Sequence, residues 1–398
     1  MEGHGRTAAA ASVAAVLGDD DLLLEILLLL GFPNYLVRAA LVSKRWLLHA
    51  SEPAFLSSFS DRHPPRLLGF CIDYPGRCQL VQLPQTPELA AISRRAATSC
   101  ADVFARRHHN ITHCRNGRLI TKFFEDDRFR YSILSPLLEE SESVLPPTPL
   151  PHNGRDGGHR CISLPEDGGQ DGITLLRLWR DGRKASVEVC VLGAGGWGAP
   201  TTAETEIQPP YPEPYFEYMS PPIHGKIFMA TTVGYTLGLD LATSRFFILE
   251  HPDGVGGNFK LSCADSDLYL VSARWFQLSV WLHKVTGDDD GSGGWLLVDA
   301  FCVQEECTRV VCSRRVCAGG DFVNVAAVGD NAEFVFLNHP ASANVIYVHL
   351  RSRLVELAVQ FDFDARKDFS LVYLEYDAYL ACVDEKIKKR NVISSSQG

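Results

Sequence analysis

The chain has 398 residues, 46% of them apolar and 22% charged, which is long enough for about two or three ordinary domains with normal packed cores. A formal net charge of −10 argues against general affinity for nucleic acid or an anionic membrane surface. Three methionines against 32 glycines and 22 prolines favour turn-rich β structure over helical bundles.

The first fifteen residues read as a disordered N-terminus. "TAAAASVAAVL" is apolar, but it follows a single Arg6 and precedes "GDDD", so it does not read as a secretory leader and export is not expected. The next run, "LLLEILLLL", contains Glu25 and falls far short of the roughly 20 apolar residues that span a bilayer. Twelve cysteines scattered over so long a chain read as free thiols of a reducing compartment, and a cytoplasmic or nuclear location is expected.

Residues 17–60 read as helical. Asp19, Asp20 and Asp21 suit a helix N-terminus, where carboxylates accept from free N–H groups and meet the positive end of the dipole. Leu22 to Leu30 is apolar on every side except at Glu25, and Gly31 and Pro33 are expected to end that helix. A second helix is expected after Asn34, carrying Leu36, Ala39, Ala40, Val42 and Trp46, with "SEPAF" at its end or at a bend. So short a segment cannot enclose that much apolar surface, so part of it should face another protein.

"LGDDDLLLEILLLLGFPNYLVRAALVSKRWLLHASEPAFL" resembles an F-box over residues 16–60. This is the three-helix module by which substrate receptors dock on the Skp-type adaptor of a cullin–RING ubiquitin ligase. The resemblance implies adaptor-binding roles for Leu17, Asp20, Leu23, Ile26, Leu27, Leu36, Val42 and Trp46, shared between packing the three helices and contacting the adaptor. Where the family pattern has Leu-Pro before the acidic residues, this chain has Leu17-Gly18 and three aspartates, with the spacing longer by one residue.

From residue 65 to 386 nearly everything reads as β. Segments with a small or polar start and an apolar continuation recur: "RLLGFCI", "NGRLITKFF", "GITLLRLW", "HGKIFMATT", "SDLYLVSA" and "AEFVFLN". Their spacing suits four-stranded propeller blades with variable loops; six blades fit best, seven are compatible, and an array of two-sheet sandwiches is the alternative. "CRNGRLITKFF" and "IHGKIFMATTVGYTLGLDLATSRFF" also resemble the kelch-like, F-box-associated propeller of plant receptors, particularly those of grasses. Residues 387–398, with "KIKKR" just before them, read as a disordered tail.

Constellations that could carry catalysis or a metal are weak. Cys302, Cys307, Cys312 and Cys317 recur every five residues, a period that gathers no four thiolates on a helix or on a strand. His109 and His113 form an i, i+4 pair with no second cluster to complete a zinc site. Asp288, Asp290, Ser292 and Asp299 have calcium-loop spacing, but the flanks read as strands and the twelfth position lacks glutamate. No nucleophile elbow, phosphate-binding loop or HExxH is present, and no cofactor is expected.

Target binding is expected from long loops. "WGAPTTAETEIQPPYPEPYFEYMSPP" offers Trp197, Tyr211, Tyr215, Phe216 and Tyr218, rigid aromatic surfaces of the kind that form recognition hot spots. The expected whole is a multi-domain α plus all-β protein, a three-helix F-box followed by a β-propeller. The resemblance implies a non-catalytic substrate receptor of an SCF-type ligase, with a Skp-type adaptor, cullin and an unknown target protein as partners. A propeller scaffold working outside ubiquitination is the alternative, and a propeller hydrolase a more distant one.

Overall fold

The computed structural model describes residues 16–376 apart from 31–32, 64–65, 75–76, 107–108, 116, 127, 138–141, 150–158, 164–172, 182–183, 207–215, 221, 265–266, 287–292, 312–320, 330–331 and 361–369. The chain divides into two compact units, one of residues 1–68 with 375–398 and one of residues 69–374. Both expected disordered ends, 1–15 and 387–398, lie outside the described residues.

Among the described residues of the first unit stand four named helices, α1 (Asp20–Leu28), α2 (Pro33–Ala40), α3 (Lys44–Ala50) and α4 (Pro53–Arg62), where three were expected. Asp19 caps α1, its Oδ1 accepting from the N–H groups of Asp21 (3.0 Å) and Leu22 (3.1 Å). Pro33 opens α2 and does not end α1, a position where proline's missing N–H costs nothing. The expected single second helix is broken at Leu41 and Val42, because Ser43 has extended backbone and its Oγ accepts from the N–H of Trp46 at 3.2 Å, starting α3 anew. Leu36 and Trp46 therefore stand on different helices. Pro53 then begins α4, so "SEPAF" is a helix start. Leu23, Leu27, Leu36, Ala40, Ala50, Phe55, Leu56 and Phe59 close a core between the four helices.

The division falls within β1 (Arg66–Tyr74), which forms an antiparallel pair with β2 (Arg77–Gln82). A 20-residue helix, α5 (Pro87–Arg106), follows where strand was expected. Its buried residues Leu89, Ser93, Ala96, Cys100 and Val103 fall three or four apart, a complete helical stripe. Small and polar side chains fill three of those five places, so the stripe is hard to see as hydrophobicity in the sequence.

Five blades of four or five strands then follow in chain order. They are β3 (His109–Arg115) to β6 (Glu142–Val144) with β4 (Arg118–Glu125) and β5 (Arg128–Leu134); and β7 (His159–Ser163), β8 (Ile173–Asp181), β9 (Lys184–Gly193), β10 (Gly196–Trp197) and β11 (Thr201–Glu206). The third is β12 (Phe216–Met219), β13 (Lys226–Thr231), β14 (Tyr235–Asp240) and β15 (Arg245–Glu250). The fourth is β16 (Phe259–Ala264), β17 (Asp267–Arg274), β18 (Gln277–Lys284) and β19 (Leu296–Cys302). A short helix, α6 (Gln304–Val311), leads to the fifth, β20 (Asn324–Val328), β21 (Phe334–His339), β22 (Asn344–His349) and β23 (Leu354–Gln360). The final strand β24 (Ser370–Tyr376) pairs with β1, giving a three-stranded sheet in the order β2-β1-β24. Six or seven full blades are not formed among the described residues, because the chain after β2 turns into α5 and not into a third and fourth strand.

Cores lie between successive sheets. Ile120, Tyr131 and Ile133 meet Ile173, Leu175 and Cys190; Leu176, Leu178 and Val187 meet Ile227, Met229 and Leu237; Val271, Leu278 and Val280 meet Val335, Leu337 and Ile346. Strands buried on both faces need no polar alternation, and β13 is buried at every position. The ring of Phe70 on β1 stands 4.9 Å from that of Phe336 on β21, so the last full blade packs on the three-stranded sheet. Helix α5 packs its stripe with Cys71, Leu80, Ile111 and Leu119, filling the space between that sheet and the first blade.

Candidate docking surfaces

Burial sorts the eight expected adaptor residues of the helical unit into three groups. Leu23, Leu27 and Leu36 are buried (0, 0 and 3% exposed) in the unit's own core, the packing side of their expected role. Ile26 and Trp46 are half-buried, and the Trp46 side chain packs against that core from its edge. Leu17 is half-buried too, while Asp20 and Val42 are exposed.

Asp20 is engaged inside the unit. Its Oδ1 accepts from Arg45 Nε at 2.8 Å and also from Arg45 Nη2, and it lies 2.9 Å from His49 Nε2. The hydrogen bonds from Arg45 hold its carboxyl below the usual carboxylate range. The same guanidinium donates from Nη1 to the carbonyl of Leu17 (2.6 Å) and from Nη2 to that of Gly18 (2.8 Å).

Around this node the unit leaves much apolar surface uncovered. Leu41, Val42 and Leu48 are about two-thirds exposed (65, 68 and 64%), and Leu22, Leu29 and Tyr35 are exposed as well. Leu41 and Val42 form the turn before α3, and Leu48 lies on that helix one turn from Lys44. Apart from Val42, none of these was singled out from the sequence. The signal was present as the break that Ser43 imposes, which turns two apolar residues outward.

The expected target-binding aromatics divide differently. Trp197 lies on β10, half-buried against the core of the first two blades, and its indole N–H donates to the carbonyl of Pro146 at 3.1 Å. Phe216 and Tyr218 belong to strand β12, paired with Thr231 and Ala230 of β13 across a register shift, and are not loop residues. Tyr211 and Tyr215 lie outside the described residues. Residues 196–206 are largely strand as well, since β10 and β11 both pair with β9. Trp275 is an exposed aromatic of the second unit, in the two-residue turn between Arg274 and Gln277, with a backbone φ of 59°. Its carbonyl accepts from Val323 at 3.1 Å, beside exposed Phe322.

No three His, Cys, Asp or Glu side chains among the described residues gather as a metal site. His109 and His113 lie on strand β3, about 13 Å apart along it at roughly 3.3 Å per residue, not on adjacent turns of a helix. Cys302 ends β19 and Cys307 is buried in α6, while Cys312 and Cys317 lie outside the described residues. Asp288, Asp290 and Ser292 lie outside them too, and Asp299 pairs with Arg353 at 3.2 Å. No helix among the described residues is long and apolar enough to cross a membrane.

Residues 110–370 match the family described as "F-box protein AT5G49610-like, beta-propeller". The chain belongs to this family. The matched residues run from β3 into β24, so the F-box-protein propeller accounts for all five full blades. No curated protein matches the chain. Among solved structures it is similar to a functionally unknown protein from Desulfotomaculum acetoxidans DSM 771, at 14% identity and a TM-score of 0.36 over 66% of this chain and 74% of that one. It is also similar to apo AztD from Citrobacter koseri, at 10% identity and a TM-score of 0.29 over 79% and 76%.

Proposed function

We propose that this chain is the non-catalytic substrate-recognition subunit of an SCF-type cullin–RING ubiquitin ligase. Residues 16–60 act as the F-box that docks on a Skp-type adaptor and through it on cullin. The propeller, of the kelch-like kind found in grasses and other plants, holds the target protein in the cytoplasm or nucleus. The propeller's family membership supports the reading, and one observation carries it: a helical unit of about forty residues closes its own core and still exposes Leu41, Val42 and Leu48. Uncovered apolar surface on so small a unit marks a place for a protein partner. Catalysis is then proximity, since a bound target and a charged ubiquitin held in one assembly react at raised effective concentration.

The test is co-elution of the full-length chain with purified Skp-type adaptor, and then with adaptor and cullin. A stable complex that Leu41→Asp/Leu48→Asp abolishes in a folded variant is the expected result. A folded wild-type chain that never co-elutes with the adaptor overturns the reading.

A further inference from the structure

The Arg45 guanidinium binds three separate groups of the segment leading into α1: the carbonyl of Leu17 at 2.6 Å, the carbonyl of Gly18 at 2.8 Å and the Asp20 carboxylate at 2.8 Å from Nε. Its planar fork suits such multiple acceptance, and an ammonium could not reach all three at once. Residues 16–18 are helical and Asp19 N–H donates to Val16 O at 3.3 Å; Val16 is exposed, and a side chain at Gly18 would meet nothing within 4 Å. Arg45 stands on α3, between exposed Val42 and exposed Leu48, while exposed Leu22 follows the lead-in on α1. A single side chain thus joins two parts of the apolar surface, one from each helix.

We propose that Arg45 is a positioning residue for adaptor docking, fixing Leu17-Gly18 and the start of α1 against α3 so that the exposed apolar surface is formed before the adaptor arrives. This deepens the adaptor-docking reading and rests on it. The contribution is to binding more than to folding. Asp20 is exposed and Arg45 only half-buried, and ion pairs open to solvent in this way add little to stability. An ordered lead-in, in contrast, spares the complex the entropy of ordering it on association. His49 Nε2 meets the same Asp20 oxygen at 2.9 Å.

The experiment compares full-length wild type, Arg45→Ala, Arg45→Lys, Asp20→Ala and the Arg45→Ala/Asp20→Ala double variant, reading adaptor affinity and melting temperature together. Arg45→Ala is expected to bind about tenfold more weakly with little change in melting temperature, and Arg45→Lys to recover at most part of the loss. Asp20→Ala should weaken binding as well, and the double variant should lose less than the product of the two single losses, because the two residues act through one clamp. Unchanged affinity in Arg45→Ala overturns the proposal, as does a loss matched by a proportionate fall in melting temperature. Fully multiplicative losses also overturn it, since they would mean that Arg45 touches the adaptor directly. Amide hydrogen exchange over residues 16–22 of the free chain judges the clamp apart from the adaptor: it should accelerate in Arg45→Ala, and unaltered exchange overturns the proposal. If the wild type fails to bind, the docking reading falls while the exchange result still decides whether the clamp exists.

Discussion

His251, in the connection from β15 to β16, shows how one side chain couples the propeller to pH. Burial pushes its pKa down to about 4; Nε2 meets the hydroxyl of Thr236 at 2.9 Å, the ring stands edge-on to Phe259, and Nδ1 has no hydrogen-bond partner among the described residues. An imidazolium there would lose water on one nitrogen with nothing in return. The folded chain therefore keeps this histidine neutral down to about pH 4, while the unfolded chain protonates it near 6.5. Between those values the unfolded state binds more protons, so stability is fully present above pH 6.5 and is lost as pH falls toward 4. Burial lowers the His339 pKa as well, which adds a loss of the same sign. Urea unfolding of wild type and His251→Gln at pH 7.5 and pH 5 isolates the His251 part. The wild type is expected to lose about 2 kcal/mol more than the variant over that interval, and equal losses would refute the assignment. Asp240 behaves as the opposite charge type. The N–H of Thr243, with Lys226 at 3.3 Å and the N–H of Ala242, holds its carboxyl below the usual range, so its stabilisation is present at neutral pH and fades only in acid below the ordinary carboxylate range. None of these buried groups was legible in the sequence. A histidine before a proline, or a lysine opening a strand, reads as solvated until the neighbouring chain is seen to cover it.

At the scale of elements, β1 and β2 approach so closely that Gly69 has no room for a side chain. A Cβ there would lie 2.3 Å from the carbonyl oxygen of Val81, a backbone atom that cannot swing aside. Gly69→Ala is expected to cost about 2 kcal/mol through forced separation of the two strands, measured as a lower denaturant midpoint with an unchanged slope. A variant as stable as the wild type would show that the strands part freely. The same strand illustrates what sequence patterning conveys. "RLLGFCI" is the central strand of its sheet, and "NGRLITKFF", "GITLLRLW", "HGKIFMATT", "SDLYLVSA" and "AEFVFLN" supply β4, β8, β13, β17 and β21, the second strand of each full blade. That strand is buried on both faces between neighbouring sheets, so its apolar run is the longest and recurs in phase. Outer strands such as β23, exposed along most of its length, have no such requirement and carry no repeat. Helix α5 escaped for the converse reason: Ser93, Ala96 and Cys100 pack closely because they are small, and small residues leave a faint stripe. Counting repeats therefore located the sheets but misjudged the sixth, which has three strands among the described residues, with α5 following β2.

The molecule as a whole joins a small helical unit to a large β unit, and the two should differ in resistance to unfolding. Eight buried apolar residues close the helical core, and a domain of that size buries too little surface to be more than marginally stable. The β unit buries apolar side chains between every pair of successive sheets. Which residues of the helical unit face outward was only half legible. The pattern Leu22 to Leu30 is apolar all round, so it announces excess apolar surface without saying which leucines the helices consume; Leu23 and Leu27 go inward and Leu22 and Leu29 remain outside. Scanning calorimetry of the full chain is expected to show two transitions, the lower belonging to the helical unit. Leu27→Ala should lower that transition alone, removing about 2–5 kcal/mol from a small core. A Skp-type adaptor at about 100 times its Kd should raise the same transition by roughly 2.7 kcal/mol and leave the upper one unmoved, because a ligand stabilises only the unit it binds. A single transition that Leu27→Ala and the adaptor shift together would mean that the helical unit has no stability of its own to lose.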